Sequence, residues 1–189
     1  MSNTALLAMD IQNGIVGRLA APDYLPRLAR AVDAARGAGI PVLHIVVGFR
    51  TGHPEVSSRN MAFSALGASG AFTPADPAAA IHPDIEPRPD ETVITKKRVS
   101  AFAGSDLEMV LRAQGITDLV LTGIATSGVV LSTLRQAADL DYRLTVLADG
   151  CADTDEEVHR VLTEKVFPMQ AQVTDSSAWL AGLGGRAAS

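Results

Sequence analysis

A single cysteine, Cys151, stands in the 189 residues of this chain. One thiol excludes an internal disulfide framework and fits a reducing cytoplasm. No apolar run approaches the ~20 residues needed to span a bilayer, so no membrane partner is expected. The opening Met1–Asp10 stretch has no basic n-region and runs straight into an apolar segment, so no signal peptide is expected there. Positive charge is also short: 16 Lys and Arg face 21 Asp and Glu, a formal net charge of −5. Phosphate binding needs a basic face, so nucleic acid is not expected as a partner.

What the chain does have is core. At 47% hydrophobic it reads as one globular domain. That domain is expected over residues 1–181, followed by a small, Gly-rich tail at 182–189 that lacks a core pattern and reads as disordered. No internal repeat is visible. The stretch that organises the rest is Thr117–Tyr142. It begins with the apolar run Leu119-Val120-Leu121, turns at Gly123 through Ala125-Thr126-Ser127-Gly128, and continues with Val130, Leu134 and Ala138 four residues apart. This is strand, tight turn, helix, and such a helix N-terminus faces the crevice where ligands bind in open α/β sheets.

Other strands are expected at 4–9, 41–47, 91–95 (ending at Lys96), 116–122, 143–149 and 170–173. Helices are expected at about 25–38, 105–114, from the central turn to about 141, 154–166 and a terminal turn at 176–180. Leu28, Val32 and Ala35 form the inward stripe of the first of these, and Val158, Val161 and Leu162 that of the 154–166 helix. Ser105…Glu108 and Thr154…Glu157 have capping-box spacing. The 48–89 segment holds six of the ten prolines and reads as a long excursion, packed by Phe63, Leu66 and Phe72, part of it covering the crevice. Strands alternating with helices predict an α/β fold with a parallel sheet and helices on both faces, a three-layer α/β/α sandwich.

Three motifs resemble those of the isochorismatase-like cysteine hydrolases. Gly123-Ile-Ala-Thr-Ser-Gly-Val-Val130 resembles the family's nucleophile turn, G-[ILV]-A-T-x-x-C-V. Ala5-Leu-Leu-Ala-Met-Asp-Ile-Gln-Asn13 resembles its first strand, which ends in an acidic residue, here Asp10. Val93-Ile-Thr-Lys-Lys-Arg-Val-Ser-Ala-Phe102 resembles its lysine motif, K-x-R-x-S-A-F, and that spacing selects Lys96 over Lys97. The motifs run in order from residue 4 to about 180. The resemblance implies six strands in the order 3-2-1-4-5-6, with strands one and four adjacent at the switch point. It also implies a cis peptide at Ile124–Ala125 and a homodimer or higher homo-oligomer.

In the family, the aspartate is the acid/base, the lysine pairs with it and stabilises developing negative charge, and the cysteine attacks. Here the nucleophile position holds Val129, which can neither attack, donate nor accept. Cysteine-dependent amidase chemistry is therefore not expected. True isochorismatases also lack the cysteine, carrying glycine there, and hydrolyse a vinyl ether with a proton donor and a positioned water. Asp10 read alone is as easily a loop cap as a general acid/base; the motif around it favours the second role. Lys96 ends an apolar run, whereas Lys97 and Arg98 are expected to snorkel to solvent. Thr126 and Ser127 read first as caps of the central helix, and Cys151 as a buried filler.

Candidate substrate-binding residues are Gln12, Arg50, Phe102, Ile124, Ala125, Ser127 and Gly128. Arg50, just past the second strand, suits a bidentate pair with a carboxylate, against the alternative of a surface arginine. Phe102 equally fills core. The family's metal-binding branch uses an Asp-x-His motif. His53 and Glu55 stand together here without that aspartate, so neither metal nor other cofactor is expected. The first expectation is a hydrolase of a small molecule acting through Asp10 and Lys96 without a cysteine. The alternatives are a catalytically inactive small-ligand-binding member of the fold, and a structural or interaction protein.

Overall fold

The computed structural model describes residues 3–186. In chain order the elements are β1 (Thr4–Met9), the single turn α1 (Asn13–Val16), α2 (Tyr24–Gly37), β2 (Val42–Val47), α3 (Met61–Ser69), β3 (Thr92–Lys96), α4 (Leu107–Ala113), β4 (Asp118–Ile124), α5 (Leu131–Asp139), β5 (Arg143–Ala152), α6 (Glu156–Val161), β6 (Gln172–Thr174) and α7 (Ser176–Arg186). The six strands pair in parallel in the order β3-β2-β1-β4-β5-β6. The order reverses between β1 and β4, the switch point where open α/β sheets carry ligands.

The central strands are apolar on both faces because both faces are covered. Along β1, Ala5, Leu7 and Met9 pack with Leu107, Leu111, Val130 and Leu134, beneath α4 and α5. Leu6 and Ala8, pointing the other way, pack with Leu28, Val32 and Ala35 of α2 and with Trp179 and Leu183 of α7. The α2 stripe read from sequence is therefore the buried one. The 48–89 excursion carries a smaller cluster of its own, Phe49, Phe63 and Phe72 with Leu66, against Val47.

Several boundaries differ from expectation, each for a local reason. α4 starts one residue after Asp106, and Ser105 Oγ does not cap it as a box; it donates to Ala101 O at 2.6 Å and accepts from Leu107 N–H at 3.2 Å. α6 is capped by Asp155, not Thr154, its carboxylate accepting from the Glu157 and Val158 N–H groups at 2.9 and 3.1 Å. The chain then continues through a π-helical turn at Leu162–Val166. Val158, in the regular part of α6, is exposed rather than inward, and Thr163 in the π turn is buried. β5 extends to Ala152, which places Cys151 inside the sheet opposite Gly123. α7 runs through Arg186, past the expected end at Leu180, and residues 187–189 of the expected tail lie outside the described residues.

Gly123 permits the turn that follows β4. Its φ is +146°, and a Cβ there would lie 2.5 Å from the Met9 carbonyl oxygen, so only glycine lets β4 approach β1 at this level.

Candidate active site

The sheet register aligns the C-terminal ends of five strands. Met9 lies opposite Ile45 and Gly123, Val47 opposite Lys96, and Gly123 opposite Cys151. Asp10 leaves β1 with φ +59°, a left-handed conformation that aspartate tolerates better than most residues. Its N–H still donates to Ile45 O at 2.7 Å, which anchors it to the sheet while the side chain turns out of register.

Lys96 Nζ meets Asp10 Oδ2 at 3.0 Å, and both residues are buried, at 2% and 6% exposure. The ammonium also donates to Arg98 O at 3.0 Å. Asp10 Oδ1, by contrast, is buried with no hydrogen-bond partner. Burial raises the Asp10 carboxyl from its ordinary 3.8 to about 6, while the Lys96 charge pulls it back down. A carboxyl poised near neutrality, with one free oxygen and a cation on the other, can give and take a proton.

The Lys96–Phe102 loop is fixed from both sides. Ala101 N–H donates to Thr133 Oγ1 at 3.0 Å and Ser100 Oγ to Gln136 Oε1 at 2.7 Å, which docks it on α5. Lys97 and Arg98 do not snorkel to solvent as expected. Lys97 Nζ donates to Gly48 O at 2.6 Å, and Arg98 donates to Lys97 O and Glu55 O at 2.7 and 2.9 Å. The irregular 48–55 backbone has carbonyls that no strand partner satisfies, and these two cations supply the donors.

The turn after β4 contains a cis Ile124–Ala125 peptide bond, as the family resemblance implied. Thr126–Val130 then forms a π-helical turn leading into α5. Val129 is 2% exposed and packs in the same core layer as Met9 and Phe102. Thr126 and Ser127 are not helix caps. Thr126 Oγ1 shares a hydrogen bond of 2.8 Å with His159 Nδ1, and the Ser127 N–H donates to Asp153 Oδ2 at 2.8 Å. Burial, the largest single influence, disfavours the charged Asp153, but hydrogen bonds from Ser127 and from the Asp155 and Thr154 N–H groups together hold the carboxyl below its ordinary value. Burial holds the His159 imidazole below its ordinary value too. Asp153 and His159 went unnoticed in the sequence; the available signal was that Asp153 lies just past β5, the neighbour of β4.

The remaining expected site residues are dispersed. Gln12 is fully buried, and its amide is occupied: Nε2 donates to Val47 O and Ala79 O at 2.9 and 2.8 Å, and Oε1 accepts from Val47 N–H at 2.9 Å. It braces the excursion against β2. Arg50 is largely exposed and pairs with Glu55 at 2.5 Å. Gln12 and Arg50 border a pocket of about 370 Å³ with Phe49 and Phe72, whose lining includes neither Asp10 nor Lys96. His53 donates to or accepts from nothing acidic; its Nε2 lies 2.7 Å from Ala71 O and its ring against Phe49. Phe102 packs against Tyr142 in the core. Ile124 and Ala125 face the other core layer, beneath α2. Gly128 N–H donates to Ala125 O at 3.0 Å inside the turn, and the Ser127 side chain is exposed.

The buried Asp10–Lys96 pair thus lies at the C-terminal edge of a parallel sheet, beside its β1/β4 switch point. The chain belongs to the isochorismatase family: the Isochorismatase domain matches residues 4–178. It is 33% identical over 165 residues to the uncharacterized isochorismatase family protein YwoC of Bacillus subtilis (strain 168), covering 87% of this chain and 86% of that protein. It is 32% identical to the ureidoacrylate amidohydrolase RutB of Methylobacterium radiotolerans, over 97% of this chain and 80% of the relative. Among solved structures it resembles an isochorismatase family protein from Burkholderia thailandensis, with a TM-score of 0.83, 29% identity and 97% of each chain covered. The N-carbamoylsarcosine amidase from Thermoplasma acidophilum superposes with a TM-score of 0.75 at 26% identity, over 92% of this chain and 96% of the other.

Proposed function

We propose that this isochorismatase-family protein hydrolyses a small molecule through the Asp10–Lys96 pair, with water as the nucleophile and no covalent enzyme intermediate. The observation that carries the reading is the half-satisfied Asp10 carboxylate: Oδ2 sits on Lys96 and Oδ1 is buried without a partner. Ionised Asp10 takes a proton from water as the water oxygen bonds to the scissile carbon. Lys96 stabilises the negative charge that builds on the substrate oxygen. As the C–N or C–O bond breaks, Asp10 returns the proton to the departing atom. Val129 leaves no side chain at the turn able to form an acyl intermediate. The names of two relatives, a ureidoacrylate amidohydrolase and an N-carbamoylsarcosine amidase, support small ureido and amide compounds as the first substrates to try.

A second reading, binding without turnover, is favoured by one specific feature. The principal surface pockets are lined by neither Asp10, Lys96 nor Val129. A screen of ureido acids, amides, esters and a vinyl ether separates the two, with Asp10→Asn as the blank. Turnover by the native chain that disappears in the blank supports the hydrolase; saturable binding with no turnover supports the second reading. The protein is further proposed to work in the cytoplasm as a homodimer or larger assembly, which light scattering at micromolar concentration checks. Among the described residues no helix is long and apolar enough to cross a membrane.

A further inference from the structure

A pocket of about 350 Å³ opens beside the end of β5, between the 18–21 segment and the start of α6. Its wall draws on both core layers: Tyr24 and Ala152 belong to the layer of Leu6 and Ala8, and Cys151 to the layer of Met9 and Val129. Two arginines line it, Arg18 and Arg27, and neither has an acidic partner among the described residues. Arg27 Nε is moreover buried without any hydrogen-bond partner. A buried guanidinium N–H with no acceptor is costly, and a ligand oxygen would relieve that cost.

The rest of the lining is acidic. Asp149 is occupied, accepting from the Ser176 N–H and Oγ at 2.7 and 2.6 Å. Asp153 accepts from Ser127 N–H through Oδ2, and Glu156 stands exposed at the rim with no cationic partner among the described residues. A ligand must therefore satisfy guanidinium donors without bringing further negative charge against Asp153 and Glu156. A doubly charged anion fails the second condition, and a neutral amide meets the first only through a carbonyl oxygen, without the charge-assisted bond a carboxylate makes.

We propose that this pocket binds a small organic carboxylate that also carries an amide N–H₂ group. The carboxylate pairs with Arg27 and Arg18, where charge-assisted, bidentate hydrogen bonds are available. The amide N–H groups face Asp153 and Glu156. The site is separate from Asp10 and Lys96, yet its walls reach the turn that carries Val129. Asp153 holds Ser127, and His159, also in the lining, holds Thr126. The ligand thus touches the two side chains that tether that turn.

The test is titration calorimetry on the full chain with three matched probes: succinamate, succinate and succinamide. Succinamate is expected to bind at one saturable site. Succinate, with a second carboxylate, and succinamide, with none, are each expected to bind at least about tenfold more weakly. Arg27→Gln breaks no ion pair, so it is expected to fold and to weaken succinamate at least about tenfold. Arg30→Gln, on the exposed side of the same helix, is expected to leave binding unchanged. Glu156→Gln is expected to narrow the gap between succinate and succinamate. Absence of saturable succinamate binding up to about 10 mM overturns the proposal. So does equal affinity for succinate, or native affinity in Arg27→Gln. If Arg27→Gln does not fold, Arg18→Gln takes its place under the same criteria.

Discussion

Replacing Asp10 by asparagine should move stability and activity in opposite directions. Burial raises the Asp10 carboxyl from 3.8 to about 6 despite Lys96. The folded chain therefore binds that proton more tightly than the unfolded chain does. Its contribution is fully present below pH 4 and is lost as pH rises through about 6. A difference of roughly two pKa units corresponds to about 3 kcal/mol at neutral pH. Asparagine keeps the shape of the protonated acid and carries no charge. Asp10→Asn should thus be more stable than the native chain at pH 7, by up to about 3 kcal/mol. For a chain of this size that is a rise of roughly 6–12 °C in Tm. Below pH 4 the two should converge, because native Asp10 is then protonated in both states. Hydrolysis should fall about 10²–10⁴-fold in the same variant, since the proton is gone. Urea unfolding at pH 4, 5, 6 and 7 reads the first effect, and steady-state rates read the second. A variant that is less stable than native at pH 7, or whose stability difference does not change with pH, would refute the reasoning.

Lys96→Met should be severe on both counts: it leaves a buried carboxylate without its cation, costs about 3–5 kcal/mol and pushes the Asp10 carboxyl still higher, which a shifted pH–rate profile would reveal. Val129→Cys should yield a thiol that reacts with iodoacetamide faster than Cys151, because its turn leads into the N-terminus of α5, while burial pushes the Cys151 thiol up to about 12. Glu91 is half-buried between Arg36 and His44, at 2.7 and 2.9 Å. Burial raises its carboxyl, but the hydrogen bonds from Arg36, the Arg88 N–H and His44 dominate and hold it at about 2. Its stabilisation is present above pH 4.5 and lost as pH falls towards 2, so Glu91→Gln should cost about 3 kcal/mol at pH 7 and almost nothing near pH 2, measurable by urea unfolding across that range.

Much of this molecule was legible in its residues, and the pattern of misses is physical. β1 was read to the residue because Thr4–Met9 is a continuous apolar run closed by an acid. Lys96 could be separated from Lys97 by motif spacing, and only Lys96 meets Asp10. Helix ends were harder. Asp153 satisfies the N–H of Ser127, 26 residues away in sequence, so no local box could announce it. The helix read as one span at 154–166 is regular only over Glu156–Val161 and ends in a π-helical turn at Leu162–Val166, so a single 3.6-residue stripe drawn through Val158, Val161 and Leu162 did not mark the buried side. Gln12 and Arg50 have the right chemistry for substrate. Gln12 is nonetheless taken up by backbone groups of β2 and Ala79, and Arg50 by Glu55 five residues on. Side-chain type fixes what a residue can do, and only the packed neighbours decide what it is left free to do.

The central claim is hydrolysis through Asp10 and Lys96 with no thiol in the chemistry. It is tested most directly by one comparison, made on whichever substrate the screen turns over. kcat/KM is measured for the native chain before and after complete iodoacetamide treatment, alongside Asp10→Asn. The account predicts that alkylation leaves kcat/KM unchanged while Asp10→Asn loses about 10²–10⁴-fold. Activity abolished by alkylation of Cys151, with Asp10→Asn fully active, would contradict it.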